Sequence, residues 1–195
     1  MKQLLRLLLI SSLCLVFCSS GYLLADSGRE ITGLERQHLE KAMEYGQKNQ
    51  LPEAIAEYQK AIEANPRSEV AYMGIAGIYN LLKEYSKAES YCKKALEIDP
   101  NFSEAYVALG GIYIGMEQYE HAIDYCRKAL AITPDQAEAY ITLSAAYLYL
   151  GQFDSAKENA GRAKKLYQAS NDNSGVASAD GLLNNISTLK QRSGR

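Results

Sequence analysis

Apolar and small residues recur at steps of three and four along most of the chain, with charged residues between them. In Ala54, Tyr58 and Ala61, for example, this spacing places three side chains on one face of an α-helix. Pro66, Pro100 and Pro134 follow such segments and end them, because proline costs about 3 kcal/mol in a helix interior. The pattern predicts an all-α fold with helices at 35–48, 52–65, 69–82, 86–98, 103–116, 120–132, 137–150 and 154–168.

The helical segments repeat with a period of 34 residues. The three prolines are spaced by that interval, and aligning the chain on them brings similar residues into columns. We expect the alanine columns to let paired helices approach closely and the tyrosine columns to fill the space between pairs. The clearest columns are Tyr45, Tyr79, Tyr113 and Tyr147; Ala54, Ala88, Ala122 and Ala156; Ala61, Ala95, Ala129 and Ala163; Leu51, Tyr85, Tyr119 and Phe153; and His38, Tyr72, Tyr106 and Tyr140.

These columns resemble the tetratricopeptide repeat, a helix-turn-helix unit. The third repeat matches that pattern best, with Tyr106, Leu109, Gly110, Tyr113, Ala122, Ala129 and Pro134. The resemblance covers about 136 of the 195 residues and implies a right-handed solenoid of four repeats at 35–68, 69–102, 103–136 and 137–170. The departures from the pattern are His38 and Lys41 in the first repeat, Cys92, Cys126 and Ala160 in place of an aromatic residue, and Gln168 in place of a fourth proline.

The first 25 residues differ from the repeats. Two basic residues precede the apolar run Leu7–Phe17, and small residues follow it, an arrangement typical of a secretory signal. Two alternatives remain, an uncleaved membrane anchor and a lipid anchor on Cys14 or Cys18, although neither cysteine follows a small residue. We therefore expect an exported protein, in the periplasm, associated with an outer membrane, or secreted.

Both flanks of the repeat array are predicted separately. Residues 26–34 contain glycine and serine and are predicted to be a linker. Residues 171–195 are predicted to form a capping helix and a tail, because stacked repeats need a polar cover at their ends. The helix has one apolar side, made by Val176, Leu182, Leu183, Ile186 and Leu189.

The residue types needed for catalysis or metal binding do not cluster. His38 and His121 are the only histidines, and they lie in different repeats with no second ligand at metal spacing. Cys92 and Cys126 share one repeat position, so we expect them about 10 Å apart and unbridged, because a disulfide needs Cα atoms within about 7 Å. We predict no enzyme activity, no cofactor and no metal.

Several glycines lie inside predicted helices. Gly110, Gly111 and Gly115 do not form a phosphate loop, because no Lys-Ser or Lys-Thr follows them, and Gly74 and Gly77 lie at the equivalent place one repeat earlier. Each glycine costs about 1 kcal/mol relative to alanine in a helix interior. Close helix packing or a groove open to a partner's backbone would offset that cost.

The charge balance excludes one class of partner. The chain has 21 basic and 23 acidic residues, a net charge of −2. Without residues 1–25, which hold two basic residues and no acid, the balance is 19 to 23, a net charge of −4. Nucleic-acid binding needs a basic patch, so we predict a protein or peptide partner.

The resemblance implies that the first helix of each repeat lines a concave groove that holds a partner. The aligned lining residues are Leu39, Met43, Val70, Met73, Gly77, Asn80, Val107, Gly111, Ile114, Ile141, Ala145, Leu148 and Tyr149. This surface is apolar apart from Asn80, and it suits an apolar segment or an amphipathic helix. Some family members hold a terminal carboxylate with Lys, Arg and Asn; the matching positions here carry Leu39, Met43, Gly74, Val107 and Ala108, so that specificity is not implied.

These features predict an adaptor that binds a partner segment, by analogy with envelope-assembly factors of the family. A periplasmic chaperone for apolar clients is the alternative, and a hydrolase or transferase is the alternative of another class. The groove is either open to a partner or filled by the C-terminal helix or a second copy, and membrane contact would come only through the N-terminus. If Val107 lines an open groove, Val107→Glu should spare folding; if Val107 lies in the core, the variant should melt early.

Overall fold

The computed structural model describes residues 33–193, which form nine α-helices without any strand. The all-α prediction is confirmed, and the predicted helix boundaries lie within two residues of those observed. The predicted signal or anchor at 1–25 lies outside the described residues. The helices are α1 (Gly33–Gln47), α2 (Leu51–Ala64), α3 (Glu69–Leu81), α4 (Tyr85–Ile98), α5 (Ser103–Gly115), α6 (Tyr119–Ile132), α7 (Ala137–Tyr149), α8 (Phe153–Ala169) and α9 (Asn173–Ser193).

The chain divides into two compact units, Met1–Phe102 and Ser103–Arg195. The described part of the N-terminal unit is α1 to α4, and that of the C-terminal unit is α5 to α9. Within each unit, consecutive helices pack against each other as pairs. None of the described helices is both long and apolar enough to cross a membrane.

The core of the N-terminal unit comes from the alanine and tyrosine columns of the repeat. Ala54 and Ala61 on α2 are fully buried, and their small side chains let α1 and α3 approach closely. Tyr58, one turn from each alanine, fills the space between α2 and α3. The buried cluster is completed by Leu39, Ala42, Ala71, Ile75 and Ile78.

The C-terminal unit has the same construction and ends in the predicted helix. Ala122 and Cys126 on α6 pack with Leu143 and Ala146 on α7. Helix α9 packs on α8, with Leu182 and Ile186 among its buried residues. Two ion pairs join α9 to α8, Lys164–Asp180 with Nζ 2.7 Å from Oδ1 and Lys190–Asp154 with Nζ 2.5 Å from Oδ1.

Tight turns with one left-handed residue join the helices of each pair. At the end of α3, Lys83 has φ 61°, Glu84 donates its N–H to the carbonyl oxygen of Tyr79, and Lys83 donates to that of Asn80. These two bonds define a Schellman motif, whose left-handed position favours glycine. Among the described turns of this kind, glycine occupies the equivalent position only at Gly151, with φ 71°.

Lys83→Gly is therefore expected to stabilise the protein by about 0.5–1 kcal/mol, because it removes the strain of a side chain at positive φ. Gly151→Lys, the reverse change at the equivalent turn, should destabilise it by a similar amount. Urea unfolding followed by circular dichroism measures both. If both substitutions change the free energy of unfolding by a small amount in the same direction, the turn residue carries no conformational strain.

Candidate functional site

The thirteen residues predicted to line a groove divide into two sets by burial. Seven are half-buried: Met43, Val70, Gly77, Asn80, Gly111, Ile114 and Tyr149. Six are buried, with exposed fractions of 0 to 5%: Leu39, Met73, Val107, Ile141, Ala145 and Leu148. Only the half-buried set presents surface to a partner in this conformation.

In the N-terminal unit, the half-buried residues lie mainly on α3. Val70, Met73, Gly77 and Asn80 follow each other at steps of three and four, so they share one face of this helix. Leu81 adjoins Asn80 and is 36% exposed. We call these five residues the α3 face. Leu39, by contrast, belongs to the buried core with Ala42 and Ala54.

The glycines of α3 have different surroundings. A Cβ atom built at Gly74 would lie 2.2 Å from Cζ of Tyr58, so the tyrosine ring occupies the space that a side chain would need. A Cβ atom at Gly77 would meet no atom within 4 Å among the described residues. Close packing therefore accounts for Gly74 and does not account for Gly77.

In the C-terminal unit, Val107 is a core residue. It is 3% exposed and clusters with Ala129 on α6 and Ala139 on α7. We therefore expect Val107→Glu to impair folding, so the substitution does not separate binding from folding. Ile114 packs on the neighbouring core cluster, and the ring of Tyr149 stacks on that of Tyr119 at a centroid distance of 5.0 Å.

Close packing also accounts for Gly110. A Cβ atom there would lie 2.6 Å from Sγ of Cys126 and 3.2 Å from Cγ2 of Thr142. Cys92 and Cys126 are free and buried, as predicted. Burial raises the pKa of the Cys92 thiol to about 12 and also raises that of Cys126, so both behave as small apolar core residues.

The first repeat contains a polar cluster that the sequence analysis did not identify. Nδ1 of His38 lies 2.7 Å from Oε2 of Glu57, and Lys60 donates to Oε1 of the same carboxylate at 2.6 Å. Glu57 is aligned with Tyr91 and Tyr125, which stack on other tyrosines in the next two repeats. The sequence does indicate this cluster, because the first repeat lacks the aromatic residue in two aligned columns. His38 replaces the tyrosine of one column, and Glu57 replaces that of the other.

Lysines cover the tyrosine stacks of the second and third repeats. Nζ of Lys94 lies 4.9 Å from the ring centroid of Tyr91, and Nζ of Lys128 lies 4.9 Å from that of Tyr125. Such cation–π contacts are worth about 0.5–1 kcal/mol at exposed sites. Among residues 33–193, no group of three His, Cys, Asp or Glu side chains is placed to hold a metal ion.

The Lys60 ammonium, and after it the His38 ring, lower the pKa of the Glu57 carboxyl. A lowered folded pKa means that the cluster stabilises the protein above the unfolded pKa of about 4.3 and that this contribution is lost as the pH falls through the folded value. Glu57→Gln should lower the free energy of unfolding by about 1 kcal/mol at pH 7.

The difference between Glu57→Gln and the unmodified protein should shrink as the pH falls below the unfolded pKa of about 4.3, and it should be lost as the pH falls through the lower folded pKa, where the native carboxylate becomes protonated. Urea unfolding between pH 3 and pH 8 measures this difference. The exposed residue Glu53 gives the control Glu53→Gln, which should show no such dependence. A Glu57→Gln effect that stays constant down to pH 3 would contradict the assigned role of the charge.

Comparison with known proteins gives one family match. A family model described as the tetratricopeptide repeat protein 21 C-terminal ARM domain matches residues 25–185. No curated protein sequence matches the chain.

Solved structures of repeat domains resemble the chain. The first TPR of Spaghetti (RPAP3), bound to the HSP90 peptide SRMEEVD, is 26% identical with a TM-score of 0.56, over 60% of this chain and 94% of that one. MamA is 19% identical with a TM-score of 0.56, over 82% and 94%. A thermophilic TPR protein of Thermus thermophilus, TTC0263, is 16% identical with a TM-score of 0.62, over 82% and 95%. At these identities, the last two show the fold alone, a tetratricopeptide-like helical repeat array.

Proposed function

Because the chain belongs to the tetratricopeptide repeat protein 21 C-terminal ARM domain family, we propose that it is a protein-binding adaptor that holds an apolar segment of a partner. Repeat proteins of this kind generally act as scaffolds and not as catalysts. The similar RPAP3 domain holds a peptide, which supports a peptide or protein partner for this chain as well.

The observation that carries this proposal is the contrast between the two helices of the second repeat. Helix α3 has no charged residue after Glu69, and its α3 face is half-buried or exposed except at Met73. Helix α4 carries five charged residues on its surface side, Lys87, Glu89, Lys93, Lys94 and Glu97. An uncharged surface beside a charged one is typical of a recognition site for an apolar ligand.

The partner proposed here differs from the acidic peptide of the RPAP3 complex. That peptide, SRMEEVD, contains three acidic residues. The positions that would supply a carboxylate clamp in this chain provide no cation, and Tyr58 fills the space above one of them, Gly74. A carboxylate buried against this surface would lose its hydration without gaining a counter-charge.

We place the adaptor in the cell envelope, on the strength of the predicted leader at 1–25, and assign it to the assembly of an envelope complex. A chaperone for unassembled apolar clients would use the same surface. The two functions differ in the number of partners, because an adaptor binds few proteins and a chaperone binds many unrelated ones.

Site-specific photo-crosslinking in the native host tests the proposal. A photo-reactive phenylalanine at Asn80 on the α3 face is compared with one at Ser90, which is exposed on α4. We expect adducts to a few envelope proteins from position 80 and none from position 90. Adducts to many unrelated proteins would favour the chaperone, and identical adducts from both positions would contradict binding through α3.

A further inference from the structure

We propose that the C-terminal unit has a second docking surface, centred on α6, that binds an acidic segment of a protein partner. Its cations are Arg127 and Lys128, and the side chains of Tyr125 and Tyr147 lie beside them. We call these four residues the α6 basic face. Its cations lie on a second helix, whereas every position aligned with the carboxylate clamp of the family lies on a first helix. The inference goes beyond the proposed binding of an apolar segment at the α3 face.

The cations of the α6 basic face have tyrosines as their partners. Arg127 donates from Nη2 to the hydroxyl oxygen of Tyr147 at 3.1 Å, whereas Oδ1 of Asp124 lies 3.8 Å from Nη1. Nζ of Lys128 lies 4.9 Å from the ring centroid of Tyr125 and forms no ion pair among residues 33–193. Neither cation is hydrogen-bonded to a carboxylate, so both retain N–H donors for an acidic ligand.

The equivalent lysine of the second repeat is neutralised within the protein. Lys93 is aligned with Arg127, and its Nζ lies 2.7 Å from Oε1 of Glu89. In the third repeat, Ile123 replaces that glutamate, so Arg127 has no carboxylate at the matching position. The positive charge of Arg127 is therefore available to a ligand, whereas that of Lys93 is not.

The second helices become more basic from the second repeat to the fourth. Two aligned columns change from an acid through an uncharged residue to a lysine: Glu89, Ile123 and Lys157, and Glu97, Ala131 and Lys165. On α8, Cζ of Arg162 lies 5.8 Å from the ring centroid of Tyr140. Tyr140 and Tyr147 lie two turns apart on α7, which packs against both α6 and α8. These tyrosines therefore join the cations of α6 and α8 into one surface.

The charges around the face favour a protein ligand over a nucleic acid or a membrane. Asp124 and Glu158 are exposed beside the arginines, and they would repel a continuous chain or layer of phosphates. In the described part of the C-terminal unit, Ile132 is the only exposed large hydrophobic side chain, so little apolar surface is offered to a bilayer. Arginine and tyrosine are enriched in protein interfaces, and a guanidinium pairs with a carboxylate through two hydrogen bonds.

The test uses the full chain and four probes labelled with fluorescein. The acidic probe is a ten-residue peptide of alternating Glu and Ser, and its neutral control alternates Gln and Ser. The other probes are a ten-nucleotide thymidine oligonucleotide and vesicles of phosphatidylcholine and phosphatidylserine. Fluorescence anisotropy gives Kd for the soluble probes, co-sedimentation measures vesicle binding, and circular dichroism gives Tm for each variant.

We expect the acidic peptide to bind more tightly than the other probes and to lose affinity as added salt screens the charges. Arg127→Gln should weaken its binding about tenfold. Ala131→Glu should weaken it by a similar factor, because it places an acid one turn from Arg127. The control Lys93→Gln should leave Kd unchanged. All three positions are exposed, so Tm should stay close to that of the wild type.

The difference between Arg127→Gln and Lys93→Gln decides whether the α6 basic face binds the peptide. Equal effects of the two substitutions would overturn the inference, and so would a failure of the acidic peptide to bind. Tighter binding of the oligonucleotide or the vesicles would overturn the choice of a protein ligand. None of these results touches the apolar ligand of the α3 face, which the crosslinking at position 80 tests separately.

Discussion

Gly74→Ala is expected to destabilise the N-terminal unit by about 1–3 kcal/mol, although alanine is the better helix former. The new methyl group would lie 2.2 Å from the ring of Tyr58. Tyr58 is 6% exposed and packs in the cluster that contains Leu39 and Ile75, so its neighbours restrict the movement of the ring. The cost of overpacking therefore exceeds the gain in helix propensity.

The same substitution should have the opposite sign once the ring is removed. Tyr58→Ala alone should cost about 3–5 kcal/mol, as for other large aromatic side chains in a core. In that background, Gly74→Ala should stabilise the protein by about 1 kcal/mol, because only the helix propensity remains.

A double-mutant cycle by urea unfolding measures the coupling between Tyr58 and Gly74, which should be about 2–4 kcal/mol. The reversal of sign is the decisive observation. If Gly74→Ala stabilises both backgrounds equally, Tyr58 does not fill the space at Gly74 and the packing between α2 and α3 differs from that described.

Val107→Glu is expected to destabilise the C-terminal unit by about 3–5 kcal/mol, because it places an unpaired carboxylate in the core. Val107 is 3% exposed and clusters with Ala129 and Ala139, and neither alanine offers a counter-charge to a glutamate at position 107. Such a loss is a large part of the roughly 5–15 kcal/mol that stabilises a typical domain. The variant should unfold well below the wild-type Tm.

The matched control is Ala131→Glu, which introduces the same side chain at an exposed position of α6. It should change the free energy of unfolding by no more than about 0.5 kcal/mol. Thermal unfolding of the two variants beside the wild type makes the comparison. If the Val107→Glu protein is as stable as the Ala131→Glu protein, Val107 does not lie in the core and can belong to the binding surface.

The repeat period and the helix boundaries could be predicted because single residues mark them. The second helix of three repeats ends just before a proline, at Pro66, Pro100 and Pro134. Proline is disfavoured inside a helix, so it marks where a helix ends. The alanine columns predict close helix approach, and Ala54 and Ala122 are fully buried. The prolines and the alanine columns recur every 34 residues, so the assignment of each repeat supports that of the others.

The assignment of Val107 shows where the pattern stops being informative. Helix α5 is apolar on nearly every side, and its buried residues include Ala105, Val107, Leu109 and Ile112. A helix that is hydrophobic all round does not indicate which side faces the core and which faces a groove. Helices α2 and α4, with charges on one side, do not have this ambiguity.

The two glycines of α3 could be noticed in the sequence but not told apart there. Gly74 and Gly77 both lie inside a predicted helix, and the explanation of each depends on what stands opposite. Only the rotation of α2 against α3, which places the ring of Tyr58 at Gly74, separates them. The pairing of His38 with Glu57 depends on helix rotation in the same way, over a separation of 19 residues.

The most direct test of the central claim is to map peptide binding onto the full chain by backbone amide chemical shifts. Titration with an uncharged, apolar ten-residue peptide should shift the amides of the α3 face most strongly and leave those around Ser90 on α4 unchanged. Shifts concentrated on α4, with none on the α3 face, would contradict the account.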